Sequence, residues 1–329
     1  MNRSIRIDFL RTIAIMSVII GHTFGYSFFA GGVQLFFFIS GYFLIHLLNE
    51  MSMKAFILYR AVRLFPLAIL MTAIFHFRFD SIPEVLSNLL LVTALIPGYT
   101  GFPGGWSINY EWLFSFIVLI FFKLRFLKLN SLLFGIFVLI MLTYDRYIND
   151  LSADAVIANQ STVLLIFIVN ITFLYLGILM RWGQMRLSMN SFIWMIPFCI
   201  ILASQNQFKE SYNSAWFLSI YILVSIVFRL KIPEIVKTKA LISCINFFGT
   251  RTYGLFCGHF VVMIVLQKLG PGDTTLTYAL TTHLGEFASN LIYFGLTVLC
   301  SCVLAQFSYM FIERPQIRMI RRFIVDKKI

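Results

Sequence analysis

This sequence has too little charge to be a soluble protein. Only 12% of its 329 residues are charged and 60% are hydrophobic, with a mean hydropathy of +0.87; soluble chains carry about 25% charge. Cysteine is sparse as well. The five, at Cys199, Cys244, Cys257, Cys300 and Cys302, are odd in number and form no Cys-x-x-Cys pair. That excludes a disulfide framework and a thiolate zinc site, and they read as small buried apolar residues. No phosphate loop, His-Glu-x-x-His helix or Gly-x-Ser-x-Gly elbow is present, so ATP hydrolysis, zinc chemistry and a serine-hydrolase elbow have no support. Acidic residues are few, 14 against 26 Lys and Arg, giving a net charge of +12. The cations fall in short segments between apolar runs, a pattern of membrane topology rather than of nucleic-acid binding. Repeats, low-complexity linkers and an appended soluble domain are all missing, so residues 1–329 read as a single transmembrane domain.

What is present is a series of apolar runs. Ten candidate helices fall at 8–26, 33–48, 59–76, 106–122, 131–144, 162–180, 191–204, 215–229, 250–269 and 287–311. In lipid every backbone amide must be satisfied within the chain, and no period-two alternation suggests a barrel, so the fold class is an all-α polytopic bundle. With the N-terminus inside, the inner segments hold most of the Lys and Arg, while outer loops hold acids such as Asp80, Glu84, Asp145 and Asp150. Both termini are therefore expected to be cytoplasmic. Between 77 and 105 an apolar stretch from Val85 to Ile96, ended by Pro97 and Gly98, predicts a re-entrant or interfacial helix.

Ionisable residues inside a membrane are costly and mark functional candidates. Arg11 and His22 are eleven residues apart, which on a helix is about 20° in azimuth and about 16 Å along the axis. One face thus carries a fixed cation near the cytoplasm and an imidazole suited to general-base work near the outside. His259 is read either as a second buried histidine for proton chemistry or as packing. Arg60 and Arg63, at i and i+3 beside Pro66, present paired guanidinium forks that suit phosphate oxygens. Ser40 and Gly41 sit in the body of a helix, a buried donor beside a position of close backbone approach. In Trp106-Ser107-Ile108-Asn109-Tyr110-Glu111, the carboxylate of Glu111 is placed either to orient an imidazole or to neutralise an arginine.

These pieces occur in the order of one family. The sequence resembles the acyltransferase family 3 membrane proteins, which O-acylate cell-surface carbohydrates. The resemblance rests on Arg11 with His22, Phe36-Phe37-x-x-Ser40-Gly41-Tyr42, Arg60-x-x-Arg63-x-x-Pro66, Trp106-Ser107-x-x-x-Glu111, the Tyr253 to His259 stretch and Glu313-Arg314-Pro315. Two positions depart from the pattern: Ser115 stands after Phe114 where tyrosine is frequent, and Thr252 stands before Tyr253 where serine is common. The short chain looks like the form associated with lipopolysaccharide O-antigen acetylation in the bacterial inner membrane.

The resemblance implies an O-acetyltransferase that takes acetyl-CoA from the cytoplasm and a lipid-linked or surface polysaccharide as acceptor, without metal or nucleic acid. Arg60, Arg63 and Arg11 are expected on the donor's phosphates and pantetheine arm. His22 is the expected base, Glu111 orients it or stabilises its protonated form, and Ser40 or a backbone amide near Gly41 is the expected donor to the developing oxyanion. Tyr42, Trp106, Asn109 and His259 are expected to bind the acceptor. A carrier or flippase that uses Arg11, His22 and Glu111 as a proton or anion pathway is the alternative.

Overall fold

Apolar runs form helices here because the apolar side chains line two environments at once. The computed structural model describes residues 5–24, 31–75, 81–93, 101–123, 238–269 and 284–325, with positions 96, 170, 171, 173–175, 177, 178, 181, 223, 227 and 280–282. Among these residues all regular structure is helical: α1 (Ile5–Phe24), α2 (Gly32–Glu50), α3 (Met53–Ile74), α4 (Ile82–Leu89), α5 (Gly105–Lys123), α6 (Lys239–Lys268) and α7 (Glu286–Ser308). A π-helical turn, Tyr309–Glu313, then leads into α8 (Arg314–Val325). Five of the described stretches are long and apolar enough to cross a membrane: α1, α2, α3, α6 and Glu286–Met319. The expected spans at 131–144 and 191–204 lie outside the described residues, as do most of those at 162–180 and 215–229.

Three expectations need correction. The loop helix is Ile82–Leu89 rather than the whole stretch from Val85 to Ile96. Ser81 caps it by accepting from the Glu84 amide, Pro83 sits in the first turn, and Leu91 at φ 57° turns the chain out. α6 begins at Lys239, well before the run expected from 250, because Leu241, Ile242, Ile245, Phe247 and Phe248 already supply apolar residues to its first turns, interspersed with Lys239, Ser243 and Asn246. Cys244, in those turns, is exposed rather than buried.

The chain divides into two compact units. The first comprises residues 1–36 and 206–318. Within it α1 runs beside α6, with the Thr12 hydroxyl, which donates to the Asp8 carbonyl at 2.8 Å, also 3.4 Å from the Ile245 carbonyl, and Gly249 packed on the backbone of Asp8. α7 returns antiparallel to α6, since the Tyr293 hydroxyl donates to the Met263 carbonyl and Gly254 lies against Ala305. Every fourth residue of α7 is buried, Ser289, Tyr293, Thr297, Ser301 and Ala305, while Leu291, Leu299, Val303 and Phe307 face outward. Small and polar inside, large and apolar outside is the polarity of a helix whose solvent is lipid.

The second unit holds residues 37–205 and 319–329. α3 starts at Ser52, whose hydroxyl accepts from the Ala55 amide, and continues through Pro66. α2 presses against Leu174 and Gly177, both helical. A Cβ placed on Gly41 would collide with the Leu174 carbonyl, and one on Gly177 with the Phe38 carbonyl. Reciprocal glycines let two backbones touch where any side chain would hold them apart. Gly41→Leu is therefore expected to destabilise by at least about 1–3 kcal/mol, the usual cost of overpacking. A clear fall in the unfolding temperature of the purified protein would register it.

Candidate active site

In the first unit the two candidate histidines come together. His22 lies in the last turn of α1 and its ring is 5.5 Å, centroid to centroid, from His259 of α6 and 4.9 Å from Phe260. Two adjacent rings of α6 thus fix one side of the His22 imidazole. His22 is exposed, contrary to the expectation of a buried ring, because it stands at the end of α1. The fully buried histidine is His259, at 0% exposure. Its Nδ1 lies 3.2 Å from the Leu255 carbonyl one turn back. A carbonyl only accepts, so this bond assigns the hydrogen to Nδ1 and leaves Nε2 as a lone-pair acceptor. Arg11, expected as an intramembrane cation, lies 3.8 Å from the buried carboxylate of Asp8. Asp8 had no place in the sequence reading, and its spacing of three from Arg11 was the available signal.

In the second unit the expected site residues of α2, α3 and α5 form one network. Arg60 points inward: it is 2% exposed, its Nη2 donates to Glu111 Oε1 at 2.8 Å, and its Nε donates to Ser115 Oγ at 2.9 Å. Ser40 donates its hydroxyl hydrogen to the same carboxylate oxygen at 2.9 Å, and Ser115 donates to the Glu111 carbonyl at 2.7 Å. Three expectations change. Arg60 is occupied as the counter-ion of a carboxylate rather than turned toward phosphates. Glu111 takes the arginine-neutralising alternative and is held through Oε1. Ser40 has a single hydrogen and gives it to Glu111, leaving none for an oxyanion. Ser115, one of the two departures from the family pattern, is the residue that receives Arg60 Nε. Arg63, one turn from Arg60, is partly exposed.

Of the expected acceptor-binding residues, Tyr42, Trp106 and Asn109 belong to the second unit and His259 to the first. The Tyr42 hydroxyl accepts from Arg181 at 3.0 Å, and that guanidinium lies 5.2 Å over the Tyr42 ring. Trp106 is 39% exposed at the start of α5, edge-on to Tyr110. Asn109 is buried and neither end of its amide has a hydrogen-bond partner among the described residues. No group of three or more His, Cys, Asp or Glu able to hold a metal ion occurs among the described residues.

Residues 4–306 match the family described as the acyltransferase domain, of acyltransferase family 3. The chain belongs to this family. No curated protein and no solved structure matches it. As an acyltransferase family 3 protein the chain is a membrane acyltransferase, which calls for an acyl donor and an acceptor.

Proposed function

We propose that this membrane acyltransferase moves an acetyl group from cytoplasmic acetyl-CoA to a hydroxyl of a cell-surface glycan, of the lipopolysaccharide O-antigen class. The proposed setting is the bacterial inner membrane, with both termini cytoplasmic. The observation that carries the reading is the imidazole of His22, exposed at the end of a membrane helix yet fixed on one side by His259 and Phe260, in a chain of this family. With the N-terminus inside, that ring stands at the outer end of α1. It takes the proton of the attacking hydroxyl, the oxygen adds to the thioester carbonyl, and the proton passes to the departing thiolate.

In the second unit Arg63 contacts the donor's phosphates, and Arg60 is spent on Glu111, anchoring α3 to α5. Glu111 and Ser40 act in this reading as holders of that anchor. Arg11, part-exposed beside Asp8, lines the donor's path. Trp106 offers an open aromatic face to a sugar ring, while Tyr42 and Asn109 supply polar contacts.

Labelled acetyl-CoA, purified protein and lipid-linked glycan test the reading directly. Covalent label on the glycan is the expected result. Passage of solute across vesicles without covalent transfer would instead establish the carrier alternative. Arg63→Ala is expected to raise the KM for acetyl-CoA with little change in that for the glycan; the reverse pattern would move this arginine to the acceptor.

A further inference from the structure

The first unit contains buried polar atoms that have no hydrogen-bond partner among the described residues. They are His259 Nε2, Thr297 Oγ1 and Ser301 Oγ, and each of the three residues is 0% exposed. The antiparallel register places His259 between the levels of Thr297 and Ser301, which are one turn apart on α7. Tyr293 meets Met263 on one side of the His259 level, and Ser301 and Leu304 meet Gly258 on the other. His259 lies between Gly258 and Met263 on α6, and Thr297 lies between Tyr293 and Ser301 on α7. Hydroxyls in helices ordinarily return their hydrogen to the carbonyl four residues back, as Ser289 does to Gly285. Thr297 and Ser301, on the same buried stripe, do not.

The chemistry of the three atoms specifies an occupant. His259, its Nδ1 hydrogen given to Leu255, presents a pure acceptor; the two hydroxyls are free to donate. A hydroxyl oxygen has one hydrogen and two lone pairs, which matches one acceptor and two donors. We propose that His259, Thr297 and Ser301 form a buried seat for a single hydroxyl oxygen next to His22, supplied by a bound water or by the acceptor sugar. In either case the occupant extends the polar surroundings of the base inward. The proposal rests on the acyl-transfer reading for its purpose, and on the orphaned atoms for its existence.

Two measurements on the full-length protein in lipid test it. Nitrogen-15 NMR of histidine-labelled protein, with the His259 signal assigned by its loss in His259→Asn, reads whether Nε2 accepts a hydrogen bond. A hydrogen-bonded Nε2 in the protein alone identifies water as the occupant. One that becomes hydrogen-bonded only after lipid-linked glycan is added identifies the acceptor's hydroxyl. An Nε2 that stays free in both states overturns the proposal. The Thr297→Val/Ser301→Ala double variant gives up no protein hydrogen bond, so its unfolding temperature should hold while acetyl transfer falls about tenfold or more. A fall in kcat accompanies a bound water, and a rise in KM for the glycan accompanies a seated sugar. Transfer within twofold of the parent protein at intact stability also overturns it. If the parent transfers no acetyl group yet Nε2 is hydrogen-bonded, the enzymatic reading fails and the seat stands.

Discussion

His22→Ala is expected to cut acetyl transfer by about 10²–10⁴-fold, the range a positioned general base contributes, while the protein still inserts and folds. The second half of that expectation comes from exposure. Among the described residues the imidazole packs against His259 and Phe260, and His22 is exposed, so its removal opens no sealed cavity. Label transferred from acetyl-CoA to lipid-linked glycan measures the first half, and the unfolding temperature of the purified variant measures the second. His259→Ala is the informative contrast, since that ring is fully buried and its loss leaves a void among packed helices. Near-parental transfer by His22→Ala would remove this residue from the role of base.

Glu111→Ala should be the most damaging single change to the fold of the second unit. The carboxylate is the counter-ion of Arg60 and receives Ser40 as well. Its removal strands a buried guanidinium, a loss of about 3–5 kcal/mol. Pairing it with Arg60→Met removes the stranded charge and should recover most of that loss, because an apolar replacement for a buried ion pair is often neutral. Thermal unfolding of the parent, the two single variants and the double variant completes a cycle that isolates the coupling. Additive losses would show that the pair contributes nothing to stability.

These two residues also mark where sequence was informative. The helices were legible because long apolar runs admit one solution in lipid, and α1, α2 and α3 fall close to their expected places. Arg60 and Arg63 are chemically identical and share a helix face, yet one is buried in a hydrogen-bonded ion pair while the other is partly exposed. What separates them is Glu111 on α5 and the hydroxyl of Ser115, partners far along the chain that no local pattern reveals. Ser115 was visible only as a deviation from the family, and a smaller side chain in place of tyrosine was the clue that something else filled that space. His22 and His259 were both identified, but their order of burial was not, since it depends on where α1 ends against α6. The start of α6 was hidden for another reason: Lys239, Ser243, Asn246 and the Thr250-Arg251-Thr252 stretch interrupt its apolar residues, so the uninterrupted part that follows stands out and the turns that precede it do not.

The reciprocal contact of Gly41 and Gly177 limits how the second unit can move. Helices separated by side chains can slide, because rotamers on each surface exchange partners as one shifts past the other. Here carbonyl oxygens of Leu174 and Phe38 fill the positions where those rotamers would be, so there is nothing to rearrange and translation in either direction brings a neighbouring side chain into a backbone. The pair behaves as a locked joint, and whatever widening a catalytic cycle demands of this unit has to come from bending elsewhere.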